Sequence, residues 1–249
     1  MVLTAPNMNP LHLPAFQMEN KGDNMKKIFV VLMAFVFCSV IVQAETISYD
    51  KTDFAEITSI IDDAVLDIRY YSPNNFTGNK IQGYKAPRAY MTKKALSALT
   101  KAADDLRSQG YRLLIWDSYR PQKAVDNFVQ WINDPTDPGD KTFYPDLEKS
   151  DLLAGKYIMA KSGHTRGSTI DLTIIRKDGS FVDMGGTFDL FSEISHPDYP
   201  NLTEDQKKNR KILHDAMIKA GFNGLESEWW HFTLKDEPYK DTYFNFDVE

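Results

Sequence analysis

Cysteine is almost missing from this 249-residue sequence, which contains a single one, Cys38. Cys38 lies in an apolar N-terminal run that we expect to be removed, so the remaining chain can form neither a disulfide nor a thiolate-bound metal site. Any metal there must be bound by histidine and carboxylate side chains. The helix motif H-E-x-x-H is absent as well, which excludes an ordinary zincin.

Basic residues are also in the minority, with 29 Lys and Arg against 35 Asp and Glu and a formal charge of −6. No basic patch stands out, which argues against nucleic acid as a partner. Internal repeats, low-complexity segments and linker-like stretches are missing too. We therefore expect one domain over residues 45–249, of ordinary globular composition.

The first 44 residues differ from the rest. After a Met-Lys-Lys start at residues 25–27, an apolar run over residues 28–42 leads to a Val-Gln-Ala cleavage signal that ends at Ala44. This pattern predicts an upstream extension over residues 1–24 and a secretory signal peptide over residues 25–44. A transmembrane anchor is the alternative, but the run is short for a span and lacks a positive stop-transfer flank. We expect export to the periplasm or exterior, with no stable membrane association after cleavage.

The remaining sequence mixes the periodicities of helices and strands. One helix is predicted from a cap at Thr92 to Gly110, a second from Pro121, and a third from a capping box at Thr203 to about Ala220. Strands are predicted over residues 65–71, 113–116 and 170–175, and a last strand over 229–234. No regular βαβ repeat appears. We therefore expect an α+β fold, in which helices flank a central mixed or antiparallel sheet that carries the functional site.

Two histidines lie beside carboxylates. His164 precedes Asp171 by seven residues, and Glu228 precedes His231 by three. Two imidazoles, a metal-binding carboxylate and a free carboxylate are the parts of a hydrolytic zinc site with an open position for water. Residues three apart on an ideal strand point to opposite faces, so we expect a strand start or a bulge near Glu228. A simpler interpretation makes His164 a loop residue and Asp171 a surface carboxylate.

Arg120 lies in the segment W-D-S-Y-R-P, where a buried strand leads into a helix. An arginine at such a junction can stabilise a developing oxyanion or bind a carboxylate. The alternative is a surface salt bridge, for example with Asp117. The other histidines of this part of the chain, His196 and His214, are predicted to be a hydrogen-bonded loop residue and a solvated helix residue.

The motifs S-x-H-x-x-G-x-x-x-D and E-x-W-H resemble those of the zinc D,D-peptidases that act on peptidoglycan. The segments R-Y, N-F-T-G, W-D-S-Y-R-P, F-D, S-H and D-E-P-Y are similar to those of one branch, the VanX-type D-alanyl-D-alanine dipeptidases. They run in order through nearly the whole chain after residue 45. The sequence departs from the family pattern at Gly163, where a larger residue is frequent, and at Thr169, where alanine is common.

This resemblance implies a set of site residues. One zinc ion is expected on His164, Asp171 and His231. Glu228 is expected to be the general base, and Arg120 to stabilise the tetrahedral intermediate. Contacts with the dipeptide are expected from three further residues, Tyr70, Ser162 and Asp189. Of these, Asp189 is expected to face the substrate ammonium.

The expected reaction is hydrolysis of the small partner D-Ala-D-Ala to two D-alanines. The nearest alternative is a D,D-carboxypeptidase that trims D-Ala from longer muropeptides in an open groove. A different class of alternative is a non-catalytic peptidoglycan-binding protein, but the presence of Glu228 and Arg120 argues against it. Protection against glycopeptides belongs in the cytoplasm, whereas export suits recovery of D-alanine from wall turnover.

Overall fold

The computed structural model describes residues 45–154 and 157–249. The predicted upstream extension and signal peptide, residues 1–44, therefore lie outside the described residues. Within the part of the chain that is described, no helix is long and apolar enough to cross a membrane.

The described residues form nine β-strands and four α-helices. The strands are β1 (Thr46–Ser48), β2 (Phe54–Glu56), β3 (Val65–Leu66), β4 (Tyr90–Thr92), β5 (Tyr111–Asp117), β6 (Thr169–Arg176), β7 (Phe222–Leu225), β8 (Glu228–Leu234) and β9 (Thr242–Phe244). The helices are α1 (Lys93–Ser108), α2 (Gln122–Asn133), α3 (Asp151–Ala154) and α4 (Glu204–Lys219). Short 3-10 helices lie in the connections, at Ile57–Ser59, Arg69–Tyr71, Lys141–Phe143, Gly163–Arg166 and Glu193–Ser195.

The central sheet has five strands in the order β3-β5-β6-β8-β7. β3 runs parallel to β5, and the other neighbours are antiparallel, which confirms the predicted α+β fold with a mixed sheet. The middle strand β6 is buried at every position except its last. Because side chains alternate along a strand, Ile170 and Leu172 point to opposite sides from Asp171. A carboxylate therefore stands on the buried central strand of the sheet.

Helices α1 and α4 contact each other and the central sheet. The Thr92 side chain accepts a hydrogen bond from the Ala95 amide and so begins α1, as predicted. Leu96, Leu99 and Leu106 recur at helical spacing and are buried, which is the apolar stripe that holds the helix on the sheet. The capping box at Thr203 begins α4, also as predicted.

Helix α2 packs on an aromatic cluster beside the sheet. It begins at Gln122, one residue later than predicted, with Pro121 as its cap. The Phe128 ring lies 5.0 Å, between centroids, from the rings of both Tyr70 and Phe76. Aromatic pairs at this distance stabilise beyond the area that they bury. The cluster fixes Tyr70 next to the carboxyl end of β5.

Two strand predictions were wrong. The strand predicted over residues 65–71 ends at Leu66, because the amides of Tyr71 and Ser72 bond back to the carbonyls of Ile68 and Arg69 and close a turn. The strand over residues 229–234 is not the last one, since β9 follows it and pairs in parallel with β1. A three-residue strand whose partner lies nearly 200 residues away has no periodicity that the sequence could reveal.

Candidate active site

Three polar residues lie side by side across the central sheet. Asp171 on β6 pairs with Asp117 on β5 and with His231 on β8. Directly paired residues share one face of a sheet, so these side chains project to the same surface. The pairing of Asp117 follows a register shift after Ile115, a bulge that moves this carboxylate into line with Asp171.

His164 joins the row from the 3-10 helix Gly163–Arg166, just before β6. The helix ends at Gly167, whose φ of 79° is left-handed and whose missing Cβ leaves room for the Phe54 ring. His164 Nδ1 lies 2.7 Å from the Ser118 carbonyl oxygen. A carbonyl only accepts, so Nδ1 donates and the lone pair is on Nε2, which faces Asp171.

The donor atoms of His164, Asp171 and His231 all lie within 4.8 Å of one another. His164 Nε2 is 3.1 Å from one Asp171 oxygen, and His231 Nδ1 is 3.0 Å from the other. The two ring nitrogens are 3.3 Å apart. Ligand atoms about 2.0–2.1 Å from a tetrahedral zinc ion lie roughly 3.3 Å from one another. Both the spacing and the nitrogen and oxygen donors therefore fit zinc.

The charges of Asp171 and His164 also suit a metal. Burial alone would raise the pKa of Asp171, but His164 and His231 hold it well below its usual range, so the carboxylate is ionised. Burial lowers the pKa of His164, which keeps this imidazole neutral near pH 7. Burial opposes protonation of His231, yet Asp171 raises its pKa. An ionised carboxylate and neutral imidazoles are the forms that bind metal ions. Asp171 and His164 already have these forms, whereas His231 must give up the proton that Asp171 favours before it can bind a metal.

Glu228 stands at the first position of β8, with Oε2 3.5 Å from His231 Nδ1. Gly224 pairs with Phe232, but the next residue of β7, Leu225, pairs with Glu228. This shift confirms the predicted irregularity near Glu228 and explains how residues three apart reach the same centre. Burial raises the pKa of Glu228 to about 7, with Asp171 adding to the effect and His231 opposing it.

Arg120 reaches the same centre from the junction of β5 and α2. Its Nε donates to Asp117 Oδ2 over 2.9 Å, and its Nη2 lies 3.6 Å from Asp171. The guanidinium carbon is 4.9 Å from the centroid of the Tyr70 ring, a distance typical of cation–π contact. The salt bridge with Asp117 therefore exists, but it is buried, and the Arg120 side chain is only 13% exposed. Its guanidinium faces the centre with the charge intact.

Tyr70 and Asp189 meet at one wall of the site. The Tyr70 hydroxyl donates to Asp189 Oδ2 over 2.7 Å, and both residues are buried. Asp189 has φ of 57°, a left-handed conformation that costs energy in a residue other than glycine and is frequent at functional sites. Burial raises the pKa of Asp189 well above its usual range, so this carboxylate needs a cation to stay ionised. Ser162 also lines the site as the cap of the 3-10 helix, where its hydroxyl accepts from the His164 amide over 3.3 Å.

One cavity of about 260 Å³ is lined by all eight predicted site residues: Tyr70, Arg120, Ser162, His164, Asp171, Asp189, Glu228 and His231. This volume is at the small end for ligand sites and matches a short peptide better than a long one. Phe76, Phe128 and Phe191 supply apolar walls, while Met159 and Leu225 lie at its exposed margin. His196 and His214 line a separate cleft instead. The His214 side chain is 51% exposed, in agreement with its prediction as a solvated helix residue.

Two residues that hold the site together were not predicted as site residues, although Asp117 was named as a possible partner of Arg120. Asp117 is buried and accepts from both Arg120 and the Tyr84 hydroxyl, the latter over 2.6 Å. The Ser118 carbonyl fixes the His164 ring. Asp117 had one signal, since a carboxylate at the end of a buried apolar strand needs a partner. A backbone carbonyl acceptor has none.

The chain is similar to known proteins over most of its described residues. A family model described as D-Ala-D-Ala dipeptidase, peptidase family M15, matches residues 50–249. A D-alanyl-D-alanine dipeptidase of Enterococcus faecalis is 42% identical over 184 residues, covering 73% of this chain and 91% of that protein. A D-alanyl-D-alanine dipeptidase of Streptomyces coelicolor is 39% identical over 198 residues, which cover 79% of this chain and 98% of that protein. A D-alanyl-D-alanine dipeptidase of Escherichia coli is 34% identical over 185 residues, which cover 74% of this chain and 86% of that protein.

Proposed function

Because the chain belongs to peptidase family M15, the D-Ala-D-Ala dipeptidases, we propose that it hydrolyses D-Ala-D-Ala to two D-alanines in a zinc-dependent reaction. One observation carries the proposal: the Glu228 carboxylate lies 3.5 Å from His231, in the same small cavity as the cluster of His164, Asp171 and His231. A cluster of metal ligands with a free carboxylate beside it is the minimum for metal-assisted peptide hydrolysis.

The zinc ion would be held by His164 through Nε2, by His231 through Nδ1 and by the Asp171 carboxylate. When bound, zinc supplies Lewis acidity, which polarises a carbonyl group and makes a water molecule more acidic. The Ser118 carbonyl orients His164 by accepting from its other ring nitrogen, a support that metal-binding histidines usually have.

Glu228 would act as the general base. Its burial and its place beside the ligands let it accept a proton from the attacking water and deliver that proton to the leaving amine. A carboxyl with a pKa of about 7 can do both near neutral pH. Arg120 would stabilise the negative charge that develops on the carbonyl oxygen, because Asp117 holds its guanidinium facing the centre.

Asp189 would bind the ammonium group of the dipeptide, and the Tyr70 hydroxyl would hold the Asp189 carboxylate in place. Ser162 lines the same cavity and would contact the dipeptide as well. A buried carboxylate that lacks a cation is costly, and a substrate ammonium would supply the missing charge. A longer peptide has an amide in place of the ammonium and leaves Asp189 without its partner. The small cavity and the buried Asp189 together favour a dipeptidase over a carboxypeptidase.

The first experiment is hydrolysis of D-Ala-D-Ala by the purified, zinc-loaded protein, beside L-Ala-L-Ala and a pentapeptide that ends in D-Ala-D-Ala. We expect cleavage of the D,D-dipeptide alone, measured as the D-alanine that the cleavage releases. Cleavage of the pentapeptide would move the protein to the carboxypeptidase function with the same residues. No cleavage by the zinc-bound protein would favour a peptidoglycan-binding role and reject the proposal.

We also propose that the protein is exported and that residues 25–44 are its signal peptide. Cleavage after Ala44 would leave Glu45 as the first residue. Expression of the full chain in a Gram-negative host, followed by fractionation and N-terminal sequencing, tests this. A periplasmic product that begins at Glu45 supports a role in recovering D-alanine from wall peptides. A cytoplasmic product with residues 25–44 intact would reject the proposed export.

A further inference from the structure

The cavity has two cationic side chains among its described lining residues, Arg120 and Lys161. Arg120 is already bound to Asp117 and faces Asp171. Lys161 is held much more loosely. Its Nζ lies 3.7 Å from Glu45 Oε2, a pair in which the two side chains are 37% and 56% exposed, and 4.3 Å from the centroid of the Tyr243 ring. An ion pair this long and this exposed contributes little, so Lys161 is free to exchange its partner.

The dipeptide carries charges of both signs, and its ammonium is assigned to Asp189 above. Its free carboxylate needs a cation or several donors, because an unpaired charge in a small cavity is costly. Near Arg120 that carboxylate would meet the negative charges of Asp117 and Asp171. The only carboxylate that pairs with Lys161 among the described residues is that of the exposed Glu45, and Lys161 lines the cavity directly before Ser162.

We propose that Lys161 binds the C-terminal carboxylate of the dipeptide, and thereby makes the enzyme selective for substrates with a free carboxyl end. This inference rests on the proposed function and adds the second half of substrate recognition. Asp189, which is buried, would then bind the ammonium end of the substrate, and Lys161, which is partly exposed, would bind its carboxylate end. Displacing Glu45 from Lys161 costs little, because both side chains stay partly hydrated.

The experiment combines two variants with two substrates. D-Ala-D-Ala and its C-terminal amide, D-Ala-D-alaninamide, are compared with the wild type, Lys161→Met and Lys161→Arg, all purified with zinc bound. We expect the wild type to prefer the acid by about tenfold in kcat/KM, which is the strength of one charge-assisted hydrogen bond. Lys161→Met should lose this preference through a higher KM for the acid, and Lys161→Arg should keep most of it.

Two controls separate recognition from structure. Glu45→Gln removes the present partner of Lys161 and should keep the preference for the acid, whereas a purely structural ion pair would make it behave like Lys161→Met. Lys207→Met removes a lysine of similar exposure, which pairs with Glu204 on α4 away from the cavity, and should change nothing. An unaltered preference for the acid in Lys161→Met, with active wild type, would overturn this inference alone. Failure of the wild type to cleave either compound would overturn the proposed function as well.

Discussion

The two halves of the candidate site are built on different parts of the fold. We define the metal half as His164, Asp171, His231 and Glu228, and the substrate half as Tyr70, Ser162, Lys161 and Asp189. The metal half stands on β6, β8 and the 3-10 helix that leads into β6. The substrate half comes from a 3-10 turn and from loops, and one of its residues has a left-handed backbone.

This difference matches what each half has to do. Metal ligands need fixed spacing, and paired strands supply it, because each residue is held by its neighbours on both sides. Substrate contacts determine which molecule fits, and loops can change without disturbing the sheet. We therefore expect changes in the metal half to abolish metal binding or chemistry. Changes in the substrate half should leave zinc in place and alter mainly KM.

The largest expected effect is that of His164→Ala. Removing one of three protein ligands should lose zinc and activity together, with activity below detection at equimolar zinc. Metal content by elemental analysis and a chelator competition give the two readouts. His214→Ala is the matched control, since this histidine is half-exposed on α4 and lines another cleft. Full zinc content in His164→Ala would show that His164 is not a zinc ligand. It would also contradict the assignment of His164 to the metal half.

Glu228→Gln should separate chemistry from metal binding within the metal half. The amide keeps the size of the side chain but cannot accept the proton, so kcat should fall by about 10³-fold, as when general base catalysis is lost. Zinc content should stay at one per chain. The control is Glu226→Gln, two residues earlier and exposed, which should behave as wild type.

Loss of zinc in Glu228→Gln would make this residue a ligand and contradict its role as the base. Retention of most of the activity would show that another group moves the proton. Either result would change the role assigned to Glu228 in the metal half. Zinc retained with activity lost would support its role as the general base.

Asp189→Asn tests the substrate half. Asparagine tolerates the left-handed backbone and keeps the hydrogen bond with Tyr70, so the fold should be preserved. Loss of the carboxylate should raise KM for D-Ala-D-Ala by about 10- to 100-fold with zinc content unchanged, since a charged hydrogen bond is lost. Steady-state kinetics and metal analysis check this, with the exposed Asp198→Asn as control. Unchanged kinetics would remove Asp189 from the site.

More of the metal half than of the substrate half could be inferred from the residues themselves, for physical reasons. The apolar run of β6 identified a buried strand with a carboxylate at its start, and the period of two along a strand required an irregularity at Glu228. Roles for Tyr70, Ser162 and Asp189 came from resemblance alone. The Tyr84 hydroxyl on Asp117 and the pairing of β1 with β9 depend on contacts between distant segments, which leave no local pattern.

The smallest effect concerns packing under the metal half. A Cβ on Gly163 would lie 2.8 Å from Thr169 Oγ1, which is itself 2.8 Å from Thr233 Oγ1 across β6 and β8. The two departures from the family pattern thus explain each other, because the threonine occupies the space that a side chain at residue 163 would need. We expect Gly163→Ala to destabilise the protein by about 1–2 kcal/mol, as overpacking does. In the background of Thr169→Ala the same change should cost much less, a coupling that urea unfolding of all four proteins measures. Additive costs would show that Thr169 is not what opposes a side chain at residue 163, and the two departures would then be unrelated.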